Sequence, residues 1–226
     1  MPAALEILRH PRAAASYLQV LRSTPQQDVQ LQGNCGPHFR VGLETARRLV
    51  RGVTQPVAAL IVPEHDEIYL RGHRKQALRT NIHRALDAGS VAQPATEPDK
   101  LAVINELVAR RHHDDNWGEP PQLVLVDELV VIAGWDAAER PLVAAAAWTC
   151  SRWALLSFFV RVTDAASASA CRHLTQLEMV RELRRRGIHW FVAGPALSVP
   201  AELRYLHHLW GFDPMRLRLE HASRLS

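Results

Sequence analysis

Long apolar runs are missing from this 226-residue chain. No stretch reaches the ~20 residues that a membrane-spanning helix needs, and the opening MPAALEILRHPR lacks the apolar core and cleavage site of a secretory signal. An intracellular, soluble, cytoplasmic protein without a membrane partner is the expectation. Cysteine is scarce: Cys35, Cys150 and Cys171 are widely spaced and form no C-x-x-C pair, so neither a disulfide framework nor a cysteine-rich zinc site is expected. A reducing compartment follows as the default, and no metal is expected. Lysine occurs only at Lys75 and Lys100 among the 27 basic residues. G-x-x-x-x-G-K-[ST], G-x-G-x-x-G and G-x-S-x-G are all absent, which leaves nucleotide hydrolysis, dinucleotide redox chemistry and α/β-hydrolase chemistry without support.

What is present suits a folded protein. Apolar residues make up 47% and charged residues 22% of the chain, ordinary values for a globular domain, and the length is enough to bury a sizeable core. The formal net charge is +4. With arginine dominating, the excess permits an anionic ligand, because the guanidinium fork matches phosphate geometry.

Periodicity places the elements. Residues 3–22 carry a broken helical pattern that Pro11 splits, and residues 23–37 read as a polar loop, so 1–37 is expected to be a helical extension and linker ahead of a domain over 38–226. Residues 41–51 read as a helix, and VAALIV at 57–62 as a buried strand between prolines. Residues 91–98 look like a loop and 99–111 like a helix, followed by the loop HHDDNWGEPP. Residues 123–133, 142–148 and 153–162 suit three strands of an antiparallel meander. A long helix over 166–186, a strand at 189–193, a helix at 201–210 and a strand at 215–220 complete the pattern. The fold class is α/β (α+β).

The most informative stretch is YLRGHRKQALRTNIHRALDAG at 69–89. Ala77, Leu78, Ile82, Ala85 and Leu86 form one apolar stripe, while Arg74, Lys75, Arg79, His83 and Arg84 project elsewhere. Its string R-K-x-x-L-R-x-N-I-x-R-A resembles the basic helix of FemAB-like proteins, a branch of the GNAT acyltransferase superfamily. Near the C-terminus, E-L-R-Y-L-H-H-L-W-G-F is similar to the G-F ending of GNAT domains. The resemblance covers about residues 39–220 and implies a GNAT-like mixed, mostly antiparallel sheet flanked by helices.

The resemblance also implies a site. GNAT proteins hold the acyl donor between splayed strands and the N-terminus of the next helix, which here falls at Val162 to Arg172. Val160, Val162, Ser167, Ser169 and Arg172 are the implied donor-binding residues, although the glycines of the usual donor loop are missing. A tyrosine four residues before the final glycine is the acid in many GNAT enzymes. That place, counted from Gly211, holds His207, and Tyr205 lies two residues earlier, so both are candidate acids. Asp114 is a candidate base in a polar loop. Cys150 and Cys171 have no identified histidine partner and read as small buried residues.

Three functions are implied. The first is transfer of an acyl group from acyl-CoA to a primary amine on a small molecule or peptide. The second is FemAB-like aminoacyl transfer from charged tRNA, with Arg74, Lys75, Arg79 and Arg84 on RNA phosphates. The third is a non-catalytic GNAT-like module that binds nucleic acid or protein.

Overall fold

Successive residues of the central strands pack into different apolar clusters, and helices cover both faces of the sheet, which builds three layers. A computed structural model describes residue 19 and residues 22–30, 35–50, 53–114 and 120–220. It begins with β1 (Gln26–Gln30), α1 (Pro37–Arg47), β2 (Arg48–Val50), β3 (Val53–Thr54) and β4 (Val57–Ile61). Next come α2 (Asp66–Leu70), a 3-10 turn (His73–Lys75), α3 (Gln76–Asp87), β5 (Val91–Pro94) and α4 (Pro98–Asp114). β6 (Leu129–Trp135), β7 (Pro141–Cys150) and β8 (Trp153–Arg161) form the meander. α5 (Ala166–Arg185), β9 (Trp190–Pro195), α6 (Ala201–Trp210) and β10 (Asp213–Glu220) follow.

Eight strands form one sheet in the order β1-β10-β4-β9-β8-β7-β6-β5, with β2 and β3 paired apart from it. Only β1 with β10 and β8 with β9 run parallel within the large sheet; its other pairs are antiparallel. This is the mixed, mostly antiparallel α/β sheet expected from the sequence.

Along β6, Leu129, Val131 and Ala133 pack with Leu101, Ile104 and Val108 of α4. Val130 and Ile132, one residue out of phase, join Leu78 and Ile82 of α3 and Leu174 and Val180 of α5. α1 packs Phe39 and Leu43 against Trp153 and Leu155 of β8. Since β7 is covered on both faces, it reads as a continuous run in which Ala144 to Ala147 are wholly buried.

α5 settles closely onto β6 because Gly134 has no side chain. A Cβ there would stand 2.5 Å from both Cys171 Sγ and Thr175 Oγ1. Within this layer Trp210 Nε1 donates to His173 Nδ1 at 3.1 Å, which satisfies two buried polar atoms. Among the described residues no helix is long and apolar enough to cross a membrane.

Four sequence readings need correction. Residues 23–37 are not all loop: β1 pairs in parallel with β10, although of residues 26–29 in its polar QQDVQ only Val29 is buried. Residues 91–94 form β5, a sheet-edge strand in which Pro94 disguises the pattern. HHDDNWGEPP is not loop throughout, because residues 112–114 finish α4. Finally, Cys35 and Cys150 are joined as a disulfide with their Cα atoms 5.3 Å apart. A bridge spanning 115 residues leaves no spacing signature; it exists because the approach to α1 crosses the end of β7. Cys171 is the buried free cysteine. The helical pattern over 3–22 falls almost wholly outside the described residues.

Candidate functional site

The only two neighbouring parallel strands in the middle of the sheet stay paired for a short distance. β8 and β9 pair over residues 153–155 and 190–192. Past that point β8 continues beside β7 as far as Arg161, and β9 beside β4 as far as Pro195. A bulge at Ser157 in β8 and another at Ala193 in β9 leave each of those residues without a single opposite partner. Bulges bend a strand and increase its twist, and here the two strands separate toward their C-terminal ends.

A cavity of about 660 Å³ opens at this splay. α1 covers it with Pro37 and His38, β7 contributes Trp148, and the parted strands contribute Ser157 and Gly194. α1 lies flat on β8 through Gly42, where a Cβ would be 2.5 Å from Leu155 Cδ2. His38 stacks on Trp148 with ring centroids 4.7 Å apart and planes 9° from parallel. Among the described residues it is the one titratable side chain lining the cavity. Sequence reasoning passed over both residues, since nothing in the order of the chain connects position 38 with 148.

β8 leads directly into α5, whose first turn receives no side-chain cap. Its free N–H groups therefore carry the positive end of the helix dipole without a side-chain acceptor. Arg161 and Arg172 are close enough that burial first, and the Arg161 charge second, hold the Arg172 guanidinium below its ordinary range. Among the described residues neither arginine forms an ion pair. Asp164, the nearby acid, is held by Arg111 at 3.3 Å.

The other expected donor-binding residues lie at the end of β8 and the start of α5, and, like Arg172, none of them lines the cavity. Val160 is buried against the α4 layer and Val162 packs beside it. Ser167 is half-buried and Ser169 exposed on α5.

The three candidate acids and bases are not brought together, and none lines the splay cavity. His207 is 5% exposed and packs on Phe212. Burial pushes its pKa down to about 4, so it is neutral at pH 7 and has no proton to give beyond that of the neutral ring. Tyr205 is 64% exposed on α6, and Asp114 is exposed at the end of α4.

The basic cluster divides in two. Lys75 Nζ donates to Leu209 O at 3.1 Å and lies 4.7 Å from the centre of the Tyr69 ring, with burial lowering its pKa to about 8. Arg79 donates to Leu70 O and to Gly72 O. Both cations thus occupy the negative C-terminal ends of helices, α6 and α2 respectively. Arg74 and Arg84 stay exposed and line a groove of about 480 Å³ between α3 and α6, together with Tyr205.

No protein-family model matches the chain, and no curated protein matches it. Solved structures do. FemX is 10% identical with a TM-score of 0.55, over 71% of this chain and 59% of that one. The C-terminal domain of a putative lysylphosphatidylglycerol synthetase from Agrobacterium fabrum is 14% identical with a TM-score of 0.53, over 71% of this chain and 58% of that one. A conserved protein of unknown function from Bacteroides thetaiotaomicron is 12% identical with a TM-score of 0.50, over 70% and 56%. The chain thus matches less than two thirds of the length of each. At these identities the likeness concerns the backbone alone, and together with the splayed parallel pair and the helix that leaves it, it shows that the chain has a GNAT-like fold.

Proposed function

We propose that this protein is a direct-transfer acyltransferase that moves an acyl group from a CoA thioester to a primary amine in the β8–β9 splay. The observation that carries the reading is the splay cavity itself, from whose wall at Ser157 β8 runs on to Arg161 and then to the uncapped N-terminus of α5, which also carries Arg172. A helix N-terminus with nearby cations suits a diphosphate, and Ser167 and Ser169 add hydroxyl donors. Past residue 155, the backbone groups of β8 that face β9 have lost their strand partner, so they can pair with the amides of the donor's arm.

In the transfer, the amine nitrogen attacks the thioester carbonyl carbon while the C–S bond breaks. His38, the titratable group in the cavity, takes the proton from the amine and returns it to the departing sulfur. His38→Ala then lowers kcat by about 100-fold, the lower end of what a general base contributes. A second reading rests on the segment 162–172, the turn after β8 and the start of α5, which contains no glycine: the donor is charged tRNA, with the aminoacyl ester in place of the thioester.

Calorimetric titration with acetyl-CoA and a longer acyl-CoA tests the choice. Saturable binding that Arg172→Glu weakens at least tenfold supports the CoA reading. If neither thioester binds, that reading fails, and transfer from charged tRNA decides between the second reading and a non-catalytic domain.

A further inference from the structure

A cavity of about 680 Å³ lies at the β5 edge of the sheet, between that strand, the first turns of α4 and the β6–β7 turn. Val91 and Val103 line it, and both are exposed. Trp135 lines it too. Its ring is buried, and its Nε1–H has no acceptor among the described residues. Buried polar atoms nearly always find a partner, as the same atom of Trp210 does in His173. The cavity wall therefore holds a hydrogen-bond donor that the fold does not satisfy.

Charge is the second, independent feature. Asp99, Asp136 and Glu139 line the cavity against a single cation, Lys100. Two of these four groups are committed elsewhere. Lys100 is bound at 2.8 Å by Glu97, which is not part of the wall, and Asp136 holds Arg140 at 2.7 Å while accepting the N–H groups of Ala138 and Arg140 within its own turn. Asp99 and Glu139 form no ion pair among the described residues. Glu139 reaches Lys100 only as the last contributor to its raised pKa, which the Glu97 hydrogen bond chiefly sets.

Asp99 has a structural reason for its place, since an acid in the first turn of a helix suits the dipole. Glu139 has none. Its φ is 56°, a left-handed conformation that glycine adopts without steric cost. Keeping a glutamate there at the expense of backbone strain points to a use for its carboxylate.

We infer that this edge cavity binds an alkylguanidinium group attached to an amide, the chemistry of an arginine derivative or of an arginine within a peptide. The guanidinium meets Asp99 and Glu139, the aliphatic stem lies along Val91 and Val103, and the amide carbonyl accepts from Trp135 Nε1. A guanidinium suits two carboxylates carried by different elements because its donors fan out in one plane, and it gives up water more readily than an ammonium does. The volume is that of an ordinary small-ligand site. The inference stands apart from the transfer reading, because the ligand requires neither an acyl donor nor a free amine.

Heteronuclear NMR titration of the full chain with Nα-acetylargininamide, whose α-amine is blocked, tests it. Saturable movement is expected for the backbone amides of Ala137 and Glu139. The indole N–H signal of Trp135, recognised by its loss in Trp135→Phe, should shift downfield as it gains an acceptor. Nα-acetylcitrullinamide, neutral and of the same shape, should bind about 5- to 30-fold more weakly, the value for two exposed charge pairs. Glu139→Gln should weaken binding by about 2- to 5-fold. Glu139→Gly should bind as weakly as Glu139→Gln yet unfold at higher urea, a combination that damage to the fold cannot produce. Butylguanidinium, which has no carbonyl, should move the two backbone amides and leave the indole signal in place. Tighter binding of acetyl-Ala-Arg-Ala-amide identifies a peptide as the source of the ligand, and equal binding a free derivative.

Absence of saturable movement at millimolar Nα-acetylargininamide overturns the inference, as does a citrulline analogue that binds as tightly as the arginine compound. If Asp99→Asn and Glu139→Gly both bind like wild type, the carboxylates are not the recognition groups and the assignment is wrong. An indole signal that stays fixed while the amides move means that the guanidinium alone is recognised, and the amide part of the assignment fails.

Discussion

Removing the Cys35–Cys150 bridge should be severely destabilising. The bond closes a loop of 115 residues, and loop-closure entropy for that length corresponds to about 4.8 kcal/mol, near the top of the range found for disulfides. For a chain of this size such a loss lowers Tm by about 10–20 °C. The damage should also be local. Cys35 lies two residues before Pro37, and Cys150 two residues after Trp148, both of which line the splay cavity. Without the bridge, the start of α1 keeps the His38–Trp148 stack but loses its covalent tie to β7. The assay is urea unfolding of wild type and of Cys35→Ser/Cys150→Ser, alongside thiol titration of denatured, unreduced protein. One thiol, that of Cys171, should react in the wild type. Three would refute the bridge, and a single thiol with a stability loss below about 1 kcal/mol would refute the loop-closure reasoning.

Gly134→Ala should cost about 1–3 kcal/mol through overpacking, since the new methyl meets Cys171 and Thr175 inside the α5–β6 contact; an unchanged urea midpoint would contradict that packing. Trp210→Phe removes the donor to His173 Nδ1 and should cost about 1–3 kcal/mol for a buried acceptor left unpaired, again read from urea unfolding. Acid should destabilise the fold between pH 6.5 and 4. His173, through burial and then the Arg172 charge, and His207, through burial, both have pKa values lowered to about 4. The unfolded chain therefore takes up protons below pH 6.5 that the folded chain refuses, so the stability is complete above 6.5 and lost as pH falls. At pH 5 the loss is about 2 kcal/mol per histidine, and equal stability at pH 7.5 and 5 would exclude it.

The helices of the C-terminal half were readable because their own residues determine them. α6 occupies the predicted 201–210, and α5 ends one residue short of its prediction. Strands that depend on a partner were harder to see. Of residues 26–29 in β1 only Val29 is buried, and the strand exists through β10. Conversely, apolar residues 123–126 looked like the start of β6, but Leu123 is held by both amide atoms of Asn105 at 2.9 Å, an α4 side chain standing in for a strand. α1 begins four residues earlier than its periodicity suggested because Pro37 is accepted in its first turn.

The site divides along the same line. Arg172 and the start of α5 could be located from sequence because they follow a strand directly. His38 and Trp148 meet only through tertiary packing. Composition drew attention to Arg74, Lys75, Arg79 and Arg84 as one cluster, yet it could not distinguish two cations committed to helix ends from two left free. His207 occupied the expected place of an acid, and burial, which no spacing reveals, removes it from the cavity.

Hydrogen exchange with and without acetyl-CoA tests the central claim most directly, namely that the acyl donor occupies the splay. Slower exchange is predicted at backbone amides of residues 156–168 and in α1, with no change in α3. Binding without protection there, or protection confined to another part of the molecule, would contradict the account.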